Sequence, residues 1–289
     1  MQWHSVFARM SFNSYLCVSA PVFFASLLAL LAVSVPANAE SILQVLPTRV
    51  VLEGPLRSKT VTLINRGDED GNYRMFFRNI RANERGEFSE VIEPIAGELF
   101  SEKMVRFSPR RITVPARSKQ SIRVVLRKPK DLADGEYRSH MVFRKLPAQN
   151  SVLDKEAGEN EVGFTLRPIV EVTIPVIVRH GELAAELTLS DAKILPVDDI
   201  QKNIEFTIHR DGNRSLYGDV DAWWVTADGE KKNVGMARGV SVYVPNDKRI
   251  FKMPLDAGEK ALRGGKILLE YKEDSTYGGD QDAALEVSL

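Results

Sequence analysis

Apolar and polar side chains alternate along this chain in short runs, and turn-forming residues interrupt them roughly every ten positions. Residues 58–65 (SKTVTLIN) place Val61 and Leu63 on one face. Residues 72–79 (NYRMFFRN), 119–127 (KQSIRVVLR) and 135–146 (GEYRSHMVFRKL) have the same character. Arg66-Gly67-Asp68, residues 83–86 (NERG) and Ala133-Asp134-Gly135 supply turns between them. No helical period is sustained over about twelve residues. A period of two puts successive side chains on opposite faces of a strand, so each run needs a sheet with one face buried. The first set of runs fits one β-sandwich of about seven strands.

A second set follows at residues 183–195, 202–210, 217–225, 239–244, 248–255, 266–271 and 283–289, separated by Asp211-Gly212-Asn213, Asp228-Gly229, Gly264-Gly265 and Gly278-Gly279. This set fits a second sandwich of about the usual 100 residues. The expected boundary is at Arg179-His180-Gly181, giving domains at residues 40–180 and 181–289. A length of 289 residues agrees with two domains.

Residues 1–39 read differently. Arg9 precedes an apolar run at residues 22–35 (VFFASLLALLAVSV), and Pro36-Ala37-Asn38-Ala39 ends in an A-x-A pattern. That order describes a secretory signal peptide, with the mature chain starting at Glu40. The other reading is an uncleaved anchor, since residues 15–35 are nearly long enough to span a bilayer. No later segment is apolar enough to span, so no membrane insertion is expected after cleavage. Cys17 is the sole cysteine and lies within the leader, so the mature chain is expected to have no disulfide, thiolate nucleophile or cysteine metal site. Lys plus Arg and Asp plus Glu balance at 39 each, which gives no bulk attraction to nucleic acid or anionic lipid.

One segment stands out. In residues 164–179 (FTLRPIVEVTIPVIVR), Phe164, Leu166, Pro168, Val170, Val172, Ile174, Val176 and Val178 share one parity. A strand of that length would extend about 50 Å. Pro168 and Pro175 cannot donate to a ladder, which favours an edge. The pattern describes a long edge strand with an apolar face, a feature proteins rarely leave bare unless it is used. Equally, it describes a strand buried in the first core that runs on into the linker. The polar residues 148–162 before it read as a long loop.

Four stretches together resemble the periplasmic pilus chaperone family (PapD-like). They are residues 46–51 (LPTRVV), residues 107–115 (FSPRRITVP) with residues 121–125 (SIRVV), residues 136–147 with Glu and Pro at the two ends, and Val176-Ile177-Val178-Arg179. The resemblance covers residues 42–180 and continues loosely to Glu273-Asp274. It implies an all-β fold of two immunoglobulin-like β-sandwich domains in tandem, L-shaped with a cleft between them. It also implies a non-enzymatic periplasmic chaperone that completes pilus or fimbrial subunits by donor-strand complementation and passes them to an outer-membrane usher. In that mode a lent strand supplies main-chain hydrogen bonds, and its alternate side chains fill the partner's pockets.

By the same resemblance, Phe164, Leu166, Pro168, Val170 and Val172 form the donor strand. Arg49 anchors the subunit's C-terminal carboxylate, for which a guanidinium fork is suited. The family's second basic anchor falls at Pro175, which has no charge, leaving Lys145 or Arg167 as substitutes. Glu136, Arg179 and Asp274 correspond to a salt-bridge network that fixes the angle between domains.

Enzyme readings find little support. His140, His180 and His209 show no metal-ligand spacing, and no nucleophile elbow, P-loop or dinucleotide fingerprint occurs. No catalytic residue, metal or cofactor is expected. The alternative function is a structural or adhesive secreted protein of two immunoglobulin-like domains.

Overall fold

The structure is a computed structural model and describes residues 41–147, 168–197, 201–256, 258 and 262–289. The described residues contain eighteen strands and one short 3-10 turn. The first eleven strands are β1 (Leu43–Leu46), β2 (Val50–Leu52), β3 (Ser58–Asn65), β4 (Gly71–Arg78), β5 (Ile80–Ala82), β6 (Phe88–Glu90), β7 (Val105–Ser108), β8 (Arg111–Val114), β9 (Lys119–Leu126), β10 (Gly135–Lys145) and β11 (Glu171–His180). They are followed by β12 (Ala185–Pro196), β13 (Lys202–Gly212), β14 (Leu216–Val225), β15 (Lys231–Val242), β16 (Lys248–Leu255), β17 (Lys266–Glu273) and β18 (Asp282–Ser288), with the 3-10 turn at Ser275–Tyr277. The all-β expectation from alternation therefore holds.

Strands up to β11 form a sheet ordered β1-β3-β9-β7, a second ordered β2-β11-β10-β4-β8, and the small hairpin β5-β6. Alternation decides which side chains enter between the two larger sheets. Val61 lies opposite Ile122 across the β3–β9 pair, and both are fully buried. Met75, Met141, Phe143, Ile174, Val176 and Val178 meet them from the other sheet. Strands from β12 onward form sheets ordered β12-β13-β16 and β15-β14-β17-β18. Their core is separate and contains Ile204, Phe206, Ile208, Val220, Ile267, Leu269 and Tyr271. Each fully buried aliphatic or aromatic side chain of this kind contributes about 1.5–3 kcal/mol.

Two elements depart from the sequence reading. β15 begins at Lys231 rather than 239. Its pairing with β14 shifts register between Gly218 and Val220 and again between Ala222 and Trp223, so no clean period of two survives. In addition, β11 starts at Glu171, so the described strand has ten residues.

The link between the two groups of strands is short. Gly181 follows β11 with φ +77°, and a Cβ there would overlap the Asp134 carboxylate. Glycine avoids both the strained dihedral and the collision.

Candidate partner-binding cleft

β10 carries the polar side chains that the first core does not use. Tyr137, Met141 and Phe143 point into that core, which turns Glu136, Arg138 and His140 to the opposite face. All three are buried there. The Ser215 amide bonds to Glu136, the Tyr243 ring lies 3.9 Å from the Arg138 guanidinium carbon, and Phe88 meets the His140 ring edge-on, so residues of both groups of strands surround one site.

Arg49 lies where the chain passes from the sheet of β1 to the sheet of β2. It is 2% exposed. Nη2 donates to Ser241 Oγ and to Tyr243 Oη, each at 2.8 Å. The guanidinium carbon stands 3.7 Å from the centroid of the Tyr217 ring and 5.2 Å from that of Tyr243. Nε and Nη1 have no hydrogen-bond partner. Both nitrogens are buried, and Arg49 lines a cleft of about 580 Å³ together with His140, Pro175, Tyr217, Tyr243 and Arg249.

Positive charge dominates here. Tyr243 carries a second guanidinium, Arg138, 3.9 Å from its ring centroid. Burial pushes the Arg138 pKa down, although Tyr243 and Glu136 oppose that shift. Burial likewise lowers that of Arg249. Among the described residues, neither these two arginines nor Arg49 forms an ion pair with a carboxylate; Arg238 does, at 3.0 Å from Asp221. Burial, reinforced by Arg138 and Arg49, drives the His140 pKa from 6.5 to about 3, so its ring is neutral at pH 7. A buried cation without a counter-ion is costly, and a bound anion relieves that cost.

Beside the cleft, Glu136 and Arg179 meet. Arg179 Nε donates to Glu136 Oε2 at 3.0 Å, and Nη1 donates to Glu53 Oε2 at 3.1 Å and to the Tyr277 carbonyl at 2.7 Å. The Ser215 amide donates to the same Glu136 oxygen at 3.3 Å. Asp274, expected in this network, is not part of it. Its carboxylate accepts from the Thr276 amide at 2.9 Å and caps the 3-10 turn. The Tyr277 carbonyl of that turn makes the contact instead. The neighbouring Glu273 is taken by Arg214 in two buried hydrogen bonds of 2.8 and 2.9 Å.

β11 pairs with β10 along its whole length but with β2 only over Val176–Val178, in parallel. Its edge over residues 171–175 is therefore unpaired on the β2 side, among the described residues. The start of the strand is held firmly: Glu171 accepts from Arg144 Nε at 2.5 Å and Arg78 Nη1 at 2.8 Å. Burial raises the Glu171 pKa, and these two arginines override it to hold the carboxyl below its usual range.

Of the expected donor residues, Phe164 and Leu166 lie outside the described residues, as does Arg167. Pro168 and Val170 precede the strand; Val170 is 54% exposed and its neighbour Ile169 is 70% exposed. Val172 lies within the strand. It packs half-buried on the first core, continuing the inward face of Ile174, Val176 and Val178. The shared parity from 172 onward thus serves the protein's own core.

His140, Arg249, Tyr217 and Tyr243 were not singled out as site residues from sequence. Polar residues at 136, 138 and 140 alternating with apolar ones in a strand were the available signal. Nothing comparable marked Arg249.

The sequence matches no protein-family model and no curated protein. Solved structures align along most of it. The chaperone DraB of Escherichia coli aligns at 16% identity and a TM-score of 0.43, over 86% of this chain and 97% of DraB. In the CsuC–CsuE chaperone–tip subunit complex of Acinetobacter baumannii the figures are 13% and 0.42, over 85% and 97%. The SafA pilin–SafB chaperone complex of Salmonella enterica gives 12% and 0.40, over 87% of this chain and 99% of the matched one. The likeness is one of fold.

Proposed function

We propose that this chain is a non-enzymatic periplasmic chaperone for pilus or fimbrial subunits. Residues 1–39 are its export signal, and residues 40–180 and 181–289 are its two immunoglobulin-like domains. It holds a subunit by pairing the edge of β11 with the subunit's own strand, neutralises the subunit's terminal carboxylate at Arg49, and delivers its cargo to an outer-membrane usher.

The observation that carries this reading is Arg49 itself. It is a buried guanidinium with two unpartnered nitrogens, in a cleft whose other unpaired charges are also positive, next to a strand edge that is open over residues 171–175 among the described residues. A carboxylate matches the charge, and an extended segment matches the edge. A second reading, a structural or adhesive protein, draws on the inward packing of Val172, Ile174, Val176 and Val178.

Co-purification from the periplasm separates the two. Val170 is exposed, so Val170→Asp leaves the fold intact and is expected to strip the bound subunit from the purified protein. Arg49→Ala is the less selective probe, because Arg49 is buried and its loss also disturbs Ser241 and Tyr243. Undiminished recovery of a pilus subunit with Val170→Asp, or recovery of none with the parent protein, refutes the chaperone reading.

A further inference from the structure

We propose that Arg249 is the second cation of this site, and that the cleft grips one carboxylate between Arg49 and Arg249. The inference deepens the chaperone reading and depends on it only for whose carboxylate is bound.

The two arginines come from opposite groups of strands and converge on one residue. Ser241 Oγ accepts from Arg49 Nη2, and the Ser241 carbonyl accepts from Arg249 Nη1, both at 2.8 Å. Ser241 is 6% exposed, so the shared support lies inside the molecule. Arg249 Nε is buried and lacks a partner, as do Arg49 Nε and Nη1. Three charged nitrogens, with four N–H groups between them, thus remain unsatisfied on two residues that line the cleft. A carboxylate offers two oxygens with about four acceptor positions, enough for all four.

Other cations are less suitable. Arg238 also lines the cleft, but its guanidinium is occupied by Asp221 at 3.0 and 3.2 Å. Lys145 lies five residues along β10 from His140, about 17 Å away. His140 carries no charge at pH 7. Pro175, the position to which the resemblance assigned the second basic group, lines the same cleft without a charge. The Arg249 guanidinium is also confined, because a side chain at Gly86 would overlap it, so the 83–87 turn roofs it closely. A confined fork loses little freedom when it binds.

The test uses the full purified chain and a defined probe, N-acetyl-tetraalanine with a free or an amidated C-terminus, at constant ionic strength. Arginine Nε–Hε resonances are followed by NMR. The free acid is expected to move the signals of both Arg49 and Arg249, and the amide neither. Arg249→Met is expected to raise the dissociation constant about tenfold or more, the effect of losing roughly 1.4 kcal/mol. Arg106→Met, on an exposed part of β7, controls for general charge and is expected to leave it unchanged. A shift at Arg49 without one at Arg249 overturns the pairing and leaves the chaperone reading standing. No shift at either arginine overturns the carboxylate grip altogether, and subunit co-purification still decides the chaperone reading on its own. Should Arg249→Met fail to fold, the titration of the parent protein decides between these outcomes by itself.

Discussion

Glu136→Ala tests whether the polar node beside the cleft holds the two groups of strands together. The Glu136 side chain is fully buried, and that of Arg179 is 3% exposed. Removing the carboxylate leaves Arg179 with Glu53, which is 48% exposed, and with the Tyr277 carbonyl. It also removes the acceptor of the Ser215 amide. Breaking a buried pair from one side costs about 3–5 kcal/mol, and the surviving partners of Arg179 put this case near the lower end. For a protein of this size each kcal/mol lowers Tm by about 2–4 °C, so a fall of roughly 6–12 °C is expected. Glu53→Ala removes the exposed partner and should cost less than about 1 kcal/mol. Thermal and urea unfolding followed by circular dichroism would measure both. A cost for Glu136→Ala below about 1 kcal/mol, or equal to that of Glu53→Ala, would refute the claim that burial makes this pair matter.

Two more predictions concern protonation and backbone. His140 has its pKa depressed to about 3 by burial and by Arg138 and Arg49, against 6.5 in the unfolded chain. The unfolded state therefore binds the extra proton between those values, and stability falls as pH drops below 6.5, by up to about 1.4 kcal/mol per pH unit. His140→Gln should flatten urea midpoints between pH 7 and pH 5, and an unchanged slope would show that the ring does not set it. At Gly212, φ is +105° and a Cβ would come within 2.3 Å of the Ala184 carbonyl oxygen. Gly212→Ala should destabilise the protein by about 1–3 kcal/mol in the same assay, and a neutral result would show that the 184–212 contact relaxes freely.

Much of the fold was legible because alternation is a direct consequence of strand geometry. β3 and β16 begin and end where the pattern places them, at Ser58–Asn65 and Lys248–Leu255. Pattern failed where the backbone itself breaks period, as at the two register shifts between β14 and β15. The site was legible by halves. Arg49 stood in a local motif, and Glu136 and Arg179 face each other directly in the β10–β11 ladder. Asp274 did not join them, since a short side chain just before a tight turn bonds more readily to its own backbone than to a distant arginine. Arg249 was invisible because its role depends on Ser241 linking it to Arg49, a residue 200 positions earlier, and no local pattern encodes such a meeting.

The half-length contact between β2 and β11 also imposes a polarity. Val50 sits opposite Val176, so the lane left unpaired beside residues 171–175, among the described residues, leads straight to Arg49, after which β2 begins and blocks the way. The lane is about 17 Å long. A visiting chain that runs in the direction of β2 would finish against Arg49 with its last residue, whereas one running the other way would bring a like-charged ammonium to the same barrier. A polypeptide with more sequence to follow would have to swerve aside. On the function proposed above, the arrangement would act as a terminus detector, admitting chains by which end they present.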